Sequence, residues 1–417
     1  MYVFAEGGSG DQIFGDDGDE AIIKCGYYNG DGTTNGSKVI DTGFEPQWVL
    51  IKRTDGLGHW LLLDNMRGIP FGAVDQCLVA DTTAAENGAL GAASLISLTS
   101  TGFSLNSTAI NNSSQSYIYM AIRRGPMKEP SAGTDVYTPV RPSASGTFTA
   151  VSGFPTDLTI NKDSNNGGTT YLGNRLTGVN SLEPSSTAVA FSVNFAFDFM
   201  NQITIGGTGD YSSWISWNFR RYPKVFDVSV VKSTSSSAAN YSHNLGVAPE
   251  FFISKRVDGA GGWVLDQVDY YLLSSNGANV GSEYVVFENL TATTYGAKSG
   301  TFSSGETHLV LMFASLDGIS KVGTYTGTGN DVNVTGLNAA ARFVMIKRTD
   351  NTGDWYIFDT VTGIVSGNEA YNFMNSNTGV QTAADYIDPH SSGFTITSSA
   401  PDALNASGGT YRYLAFA

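Results

Sequence analysis

The side chains able to do acid–base, nucleophilic or metal chemistry are few in this chain, and dispersed. Four histidines, His59, His243, His308 and His390, each stand in a different local context. There is no Gly-x-Ser-x-Gly elbow, no phosphate-binding Gly-rich loop, no His-Glu-x-x-His and no Cys-x-x-Cys. A Ser-His-Asp triad assembles through space rather than along the chain, and nothing in these positions favours one. Asp64 and Asp359 lie four residues after a recurrent Trp, and Asp266 lies three after. A paired-carboxylate glycosidase needs two acids whose environments split their pKa values. Recurrence in successive repeats speaks instead for a role in each repeat's own fold, capping a turn or pairing with a Lys-Arg strand. Asp11, Asp16, Asp17, Asp19 and Glu20 form an acidic, glycine-rich stretch. Calcium would draw on Asp16, Asp17 and Asp19, but the EF-hand spacing is missing and a solvated linker is the favoured reading. No catalytic residue, enzyme activity, cofactor or metal is therefore expected.

The most regular constellation is a repeated one. Lys52-Arg53-Thr54-Asp55-Gly56-Leu57-Gly58-His59-Trp60 is matched by Lys347-Arg348-Thr349-Asp350-Asn351-Thr352-Gly353-Asp354-Trp355. A third copy reads Lys255-Arg256-Val257-Asp258-Gly259-Ala260-Gly261-Gly262-Trp263. In all three, Lys to Trp is eight residues and a Gly stands two before the Trp. The nine residues Lys52, Asp55, Trp60, Lys255, Asp258, Trp263, Lys347, Asp350 and Trp355 are read as structural. A Trp after a tight turn can stack on a sugar ring, yet a Trp that every repeat carries reads better as an anchor of the repeat. A weaker copy, Ile160-Asn161-Lys162, has lost the Arg and Trp, and Tyr171 is offered for the aromatic position. Loop-borne aromatics outside the repeat, Tyr211, Tyr270 and Tyr271, are the candidates for ligand contact, because loops carry specificity on a rigid scaffold.

The elements that hold these motifs are also repeated. The Lys-Arg phrase is entered through Gly43-Phe44-Glu45-Pro46 or Leu245-Gly246-Val247-Ala248-Pro249, with a counterpart at Gly153-Phe154-Pro155. Closing phrases begin at Tyr117, Trp214, His308 and Tyr411, spaced by 97, 94 and 103 residues. That spacing makes four repeats of about a hundred residues, a common domain size. The expected organisation is an orphan strand and acidic linker over residues 1–20, then repeats at 21–130, 131–223, 224–316 and 317–417. Tyr2-Val3-Phe4-Ala5-Glu6 resembles a closing phrase whose own repeat is missing, and residues 1–6 are expected to add to a sheet edge. Trp48-Val49-Leu50-Ile51 and Phe343-Val344-Met345-Ile346 are short β-type runs that end in Gly, Asp and Asn clusters. Gly102-Phe103-Ser104-Leu105 and Gly393-Phe394-Thr395-Ile396 alternate as half-buried strands do. Helical turns are expected only briefly, for example near Asn65-Met66-Arg67. The fold class is all-β: four tandem β-sandwich repeats.

Composition agrees. The 417 residues include 49 glycines and 41% hydrophobic residues, and the net charge is -15. Hydrophobic content is too high for a disordered chain, and the acidic balance argues against nucleic acid, which needs clustered Lys and Arg. No apolar run reaches the roughly 20 residues of a membrane helix, so membrane insertion is not expected. Met1 is followed by no basic and apolar signal-peptide pattern, so synthesis in a reducing cytosol is expected. Two cysteines, Cys25 and Cys77, make no disulfide scaffold, and two reduced, packed thiols are favoured over a bridge.

Four stretches carry a family resemblance: Tyr241 through Pro249, Lys321 through Gly329, Ile346 through Asp359, and Gly408 through Ala417. Together they resemble tandem domains of virion proteins of tailed phages, particularly phages of marine and aquatic bacteria. Arg220 through Val228 resembles the junction between such domains. The resemblance implies lectin-like jelly rolls in a tail fibre or related virion appendage that aids host adsorption, made in the host cytoplasm. Implied partners are other virion proteins, a host surface glycan and further copies of the chain, with a trimer as the guessed order. It supplies no catalytic residues. Against that pattern the second repeat (about 137–221) reads as degenerate, and a long N-terminal anchoring region or collagen-like shaft is not expected. A capsid decoration (cement) protein is the alternative, and a polysaccharide-degrading tailspike ranks below both.

Overall fold

The structure is a computed structural model that describes residues 21–87, 93–165, 167–265 and 286–417. The short β-branched and aromatic runs form antiparallel strands, and the fold class is the expected one, all-β. One strand order recurs in four sets. In each, an opening strand pairs with the closing strand, which pairs with a third strand and then a fourth. In the first set these are Ile23–Asn29, Ser116–Arg123, Pro46–Arg53 and Trp60–Asp64, extended by Cys77–Val79. In the second they are Tyr137–Val140, Trp214–Phe219, Leu158–Asp163 and Tyr171–Asn174, extended by Asn180–Leu182 and Phe191–Ser192. The third uses Phe226–Lys232, Thr307–Phe313, Phe251–Arg256 and Trp263–Leu265. The fourth uses Ser320–Thr326, Thr410–Phe416, Phe343–Arg348 and Tyr356–Asp359, extended by Glu369–Phe373 and Gln381–Ala384. The closing phrases of the sequence are thus interior strands, each held on both sides.

Each set has a second, three-stranded sheet. The central strands of these sheets are Gly102–Leu105, Gln202–Asp210, Thr294–Ala297 and Gly393–Ile396. Side chains from the two sheets meet in a core, as the period of two along a strand requires. In the fourth set Val344, Ile346, Phe358 and Tyr413 of the larger sheet meet Val334, Phe394 and Ile396 of the smaller. Phe252, Val310 and Met312 meet Phe287, Tyr295 and Ala297 in the third set. Phe148, Ala150, Phe195, Ile203 and Ile205 form the core of the second. In the first set Phe103 packs edge-on to Tyr119, ring centres 5.7 Å apart.

Two local features differ from the sequence reading. Gly102–Leu105 is buried at all four residues rather than alternately. Its outward positions are Gly102 and Ser104, and a Cβ on Gly36 would lie 3.3 Å from the Ser104 hydroxyl, so the loop at Gly36 covers this strand. The segment near Asn65 is a turn, while helical turns form at Thr108–Asn111 and Asp402–Asn405, just before the closing strands. The entry phrase has a backbone reason. Gly43, Gly153 and Gly246 all have φ near +80° (79, 84 and 78), and the equivalent Asn338 has φ 58°. Gly adopts that left-handed conformation freely, and Asn is the next best residue. No disulfide joins Cys25 and Cys77, which stand on the two edge strands of one sheet.

The chain divides into two compact units: Met1–Met127 with Arg175–Gly178, and Lys128–Asn174 with Val179–Ala417. The first unit holds the first set of strands. The second unit holds the other three, and there the larger sheets share an aromatic centre. Phe219 and Phe416 approach to 5.4 Å, Phe313 and Phe416 to 6.2 Å, and Phe226 stacks on Phe313 at 4.8 Å. Tyr137 packs on Phe343 at 5.2 Å. Among the described residues no helix is long and apolar enough to cross a membrane.

Candidate functional site

The repeated Lys-Arg phrase folds into the hairpin between the third and fourth strands, and its polar groups close that hairpin. The Lys Nζ donates to a turn carbonyl six residues on: Lys52 to Gly58, Lys255 to Gly261 and Lys347 to Gly353. The neighbouring Arg Nε donates to the Asp two residues later: Arg53 to Asp55 at 2.7 Å, Arg256 to Asp258 at 2.8 Å and Arg348 to Asp350 at 2.9 Å. The other carboxylate oxygen accepts from the start of the closing strand, with Ser116 N–H donating to Asp55 at 3.0 Å and Thr307 N–H to Asp258 at 2.9 Å. The bond from the Arg guanidinium holds the Asp55 and Asp350 carboxyls below the usual carboxylate range. The Gly two before the Trp leaves room for the Arg, since a Cβ there would lie a tight 3.1–3.3 Å from the Arg Cβ at Gly58 and Gly261 and 3.2 Å at Gly353. The amines of Lys52 and Lys255 also sit 5.9 Å and 5.8 Å from the centres of the Trp60 and Trp263 rings.

Burial distinguishes the copies. Trp263 and Trp355 are 0% and 1% exposed, whereas Trp60 is 37% exposed. In the second unit Trp263 Nε1 donates to the carbonyls of Glu183 (3.0 Å) and Ser186 (3.1 Å), and Trp355 packs edge-on to Phe251. Burial lowers the Lys255 and Lys347 amines to about 8. The degenerate copy keeps its lysine, since Lys162 is fully buried and donates to the carbonyls of Phe373 and Ser376, both at 2.7 Å. Tyr171 does not take the aromatic position. It pairs with Asn161, one residue out of the Lys-Trp register, and a one-residue step places a side chain on the opposite face. There it stacks on Trp214 at 5.7 Å.

Other candidates also find local roles. Asp64 caps its turn by accepting from Arg67 N–H at 2.8 Å and Nε at 2.6 Å. Asp359 accepts from the N–H groups of Val361 (2.8 Å) and Thr362 (2.9 Å) and from Trp217 Nε1 (3.0 Å). His308 stacks on Phe302 at 4.0 Å with Nε2 3.0 Å from Glu306, and burial lowers its pKa. His59 lies 3.2 Å from Asp81, while His243 and His390 accept local backbone N–H groups. Tyr211 is half-buried, with its ring edge on Phe148 (5.2 Å) and Trp214 (5.9 Å). Tyr270, Tyr271 and Asp266 lie outside the described residues, as do Asp16, Asp17, Asp19 and the N-terminal strand. Among the described residues no three His, Cys, Asp or Glu side chains are placed to hold a metal ion.

A second repeated device escaped the sequence reading. Buried Asn111 donates Nδ2 to the Thr33 carbonyl (2.8 Å), and Asn405 donates to the Asn330 carbonyl (2.8 Å). Each clamps the loop after the opening strand. Beside them Tyr28 stacks on Tyr117 at 5.0 Å and Tyr325 on Tyr411 at 4.7 Å. Tyr28 and Tyr325 both donate to a carbonyl of the helical turn, Ile110 and Leu404, at 2.7 Å. The available signal was an Asn six residues before the closing Tyr in both repeats.

Among curated proteins none matches the chain. Residues 20–126 and 202–417 match a family described as a domain of unknown function (DUF7483). The unmatched stretch between them covers most of the second set, where the hairpin Arg and Trp are lost. The match takes in well over half of the sequence, and the chain belongs to the DUF7483 family.

Proposed function

We propose that the protein is a non-enzymatic structural component of a bacteriophage virion, a tail fibre or related appendage that aids adsorption to the host. The observation that carries the non-enzymatic part is the use of the repeated charged residues. The Lys, Arg and Asp of the hairpins are engaged with their own turns and closing strands, in geometry that serves rigidity. The resemblance of the repeat phrases to phage virion domains supports the location. The packed sandwiches make a stiff scaffold, and their connecting loops offer polar and aromatic surface for a host glycan. Tyr211 is the ligand-contact candidate within the described residues.

Immunogold labelling or a cryo-EM map of the particle tests this reading. Label on the tail is the expected result, label on the head would favour a capsid decoration protein, and protein confined to infected cytosol would refute both. Purified protein is expected to release no reducing ends from host envelope glycan; release would restore the tailspike alternative.

A further inference from the structure

We infer that the outer face of the larger sheet in the first unit is a self-assembly surface, on which two further copies of this chain pack to form a three-membered ring. The template lies inside the second unit. Cross-strand register makes six positions equivalent in every set. They are Trp48–Ile122, Leu50–Met120 and Lys52–Ile118 in the first set, and Leu158–Phe219, Ile160–Trp217 and Lys162–Ile215 in the second. They are Phe251–Phe313, Ile253–Leu311 and Lys255–Leu309 in the third, and Phe343–Phe416, Met345–Leu414 and Lys347–Arg412 in the fourth. Within the second unit each of these residues is buried except Arg412, whose Nη2 donates to the Glu250 carbonyl at 2.8 Å.

The cover comes from the sister sets, in a cycle. The hairpin of the third set reaches the second through Trp263 and the carbonyls of Glu183 and Ser186. That of the fourth reaches the third through Trp355 and Phe251. The second reaches the fourth through Lys162 and the carbonyls of Phe373 and Ser376. A head-to-tail contact that returns to its start after three members is a closed ring.

Among the described residues of the first unit none covers the same face. Ile118 is 40% exposed and Leu78 39%, as well as Trp60, while Trp48, Leu50, Met120 and Ile122 are half-buried. These residues form one apolar strip across neighbouring strands, of the kind that marks an interaction site. Another copy is the occupant with a demonstrated fit, because faces of this residue pattern already close on one another three at a time. The inference does not depend on the proposed virion role.

Sedimentation of the full chain tests it. The expected mass is about three times 44.2 kDa, and Ile118→Glu and Met120→Glu should each raise the concentration for half-dissociation by roughly 100-fold. Both positions face outward, so far-UV circular dichroism and the urea midpoint of the dissociated variants should match those of the dilute parent. A parent that stays monomeric at high concentration, or dimeric, overturns the proposal, as does a trimer that survives both substitutions. A monomer that associates only after removal of residues 1–20 also overturns it, by showing that the chain's own N-terminal segment occupies the face.

Discussion

Asp75 sits in an environment at odds with its chemistry. It is 1% exposed, accepts from the N–H groups of Leu95 and Ile96 through Oδ2, and leaves Oδ1 without a partner among the described residues. Burial raises its carboxyl to about 7. The folded state therefore holds a proton that the unfolded chain releases near pH 4, so the contribution is full below that pH and is lost as pH rises to about 7. Asp75→Asn keeps an acceptor for the two N–H groups and removes the titration. It is expected to stabilise the first unit by a few kcal/mol at pH 8 and by much less at pH 5, measured by urea unfolding. Nothing in the sequence singled out Asp75, because burial depends on which strands cover it. Asp64 and Asp359 were legible as structural acids, since their spacing from the Trp tied them to a turn.

The hairpin shows what sequence can say about an element. Its charged residues, its turn and its glycine were all readable from three aligned copies. Their partners were not, because the closing strand that receives Asp258 begins 49 residues later. Asp258→Ala should cost about 1–2 kcal/mol by freeing the turn from Thr307, read as a lower urea midpoint for the second unit. Glycines at backbone crossings are less forgiving. A Cβ on Gly133 would lie 1.9 Å from the Ala417 carbonyl oxygen, and one on Gly393 2.0 Å from that of Val334. Either Gly→Ala change should cost about 2–4 kcal/mol, against about 1–2 kcal/mol at Gly367, where nothing lies within 4 Å and the cost is backbone strain at φ 97°.

At the scale of the whole molecule, the all-β class was legible in the periodic phrases, whereas the burial of three sheets against each other was not. The same alternation serves a sheet with one face in water and one with both faces covered, until the second face's aliphatic residues are seen in register. A net charge of -15 on each copy opposes association. Sedimentation from 50 to 500 mM NaCl should therefore show tighter assembly at higher salt, the reverse of an ion-paired interface. The place of the closing strands has a kinetic consequence. Opening and third strands meet only through a strand made last, as in Ser320–Thr326 and Phe343–Arg348 around Thr410–Phe416. During synthesis each sheet thus waits as two separated halves with raw edges until its final segment emerges, and such edges invite wrong pairing. Chains stopped before residue 410 should aggregate or be degraded in cells while their first unit still folds, which places the quality check of the second unit in its last few residues.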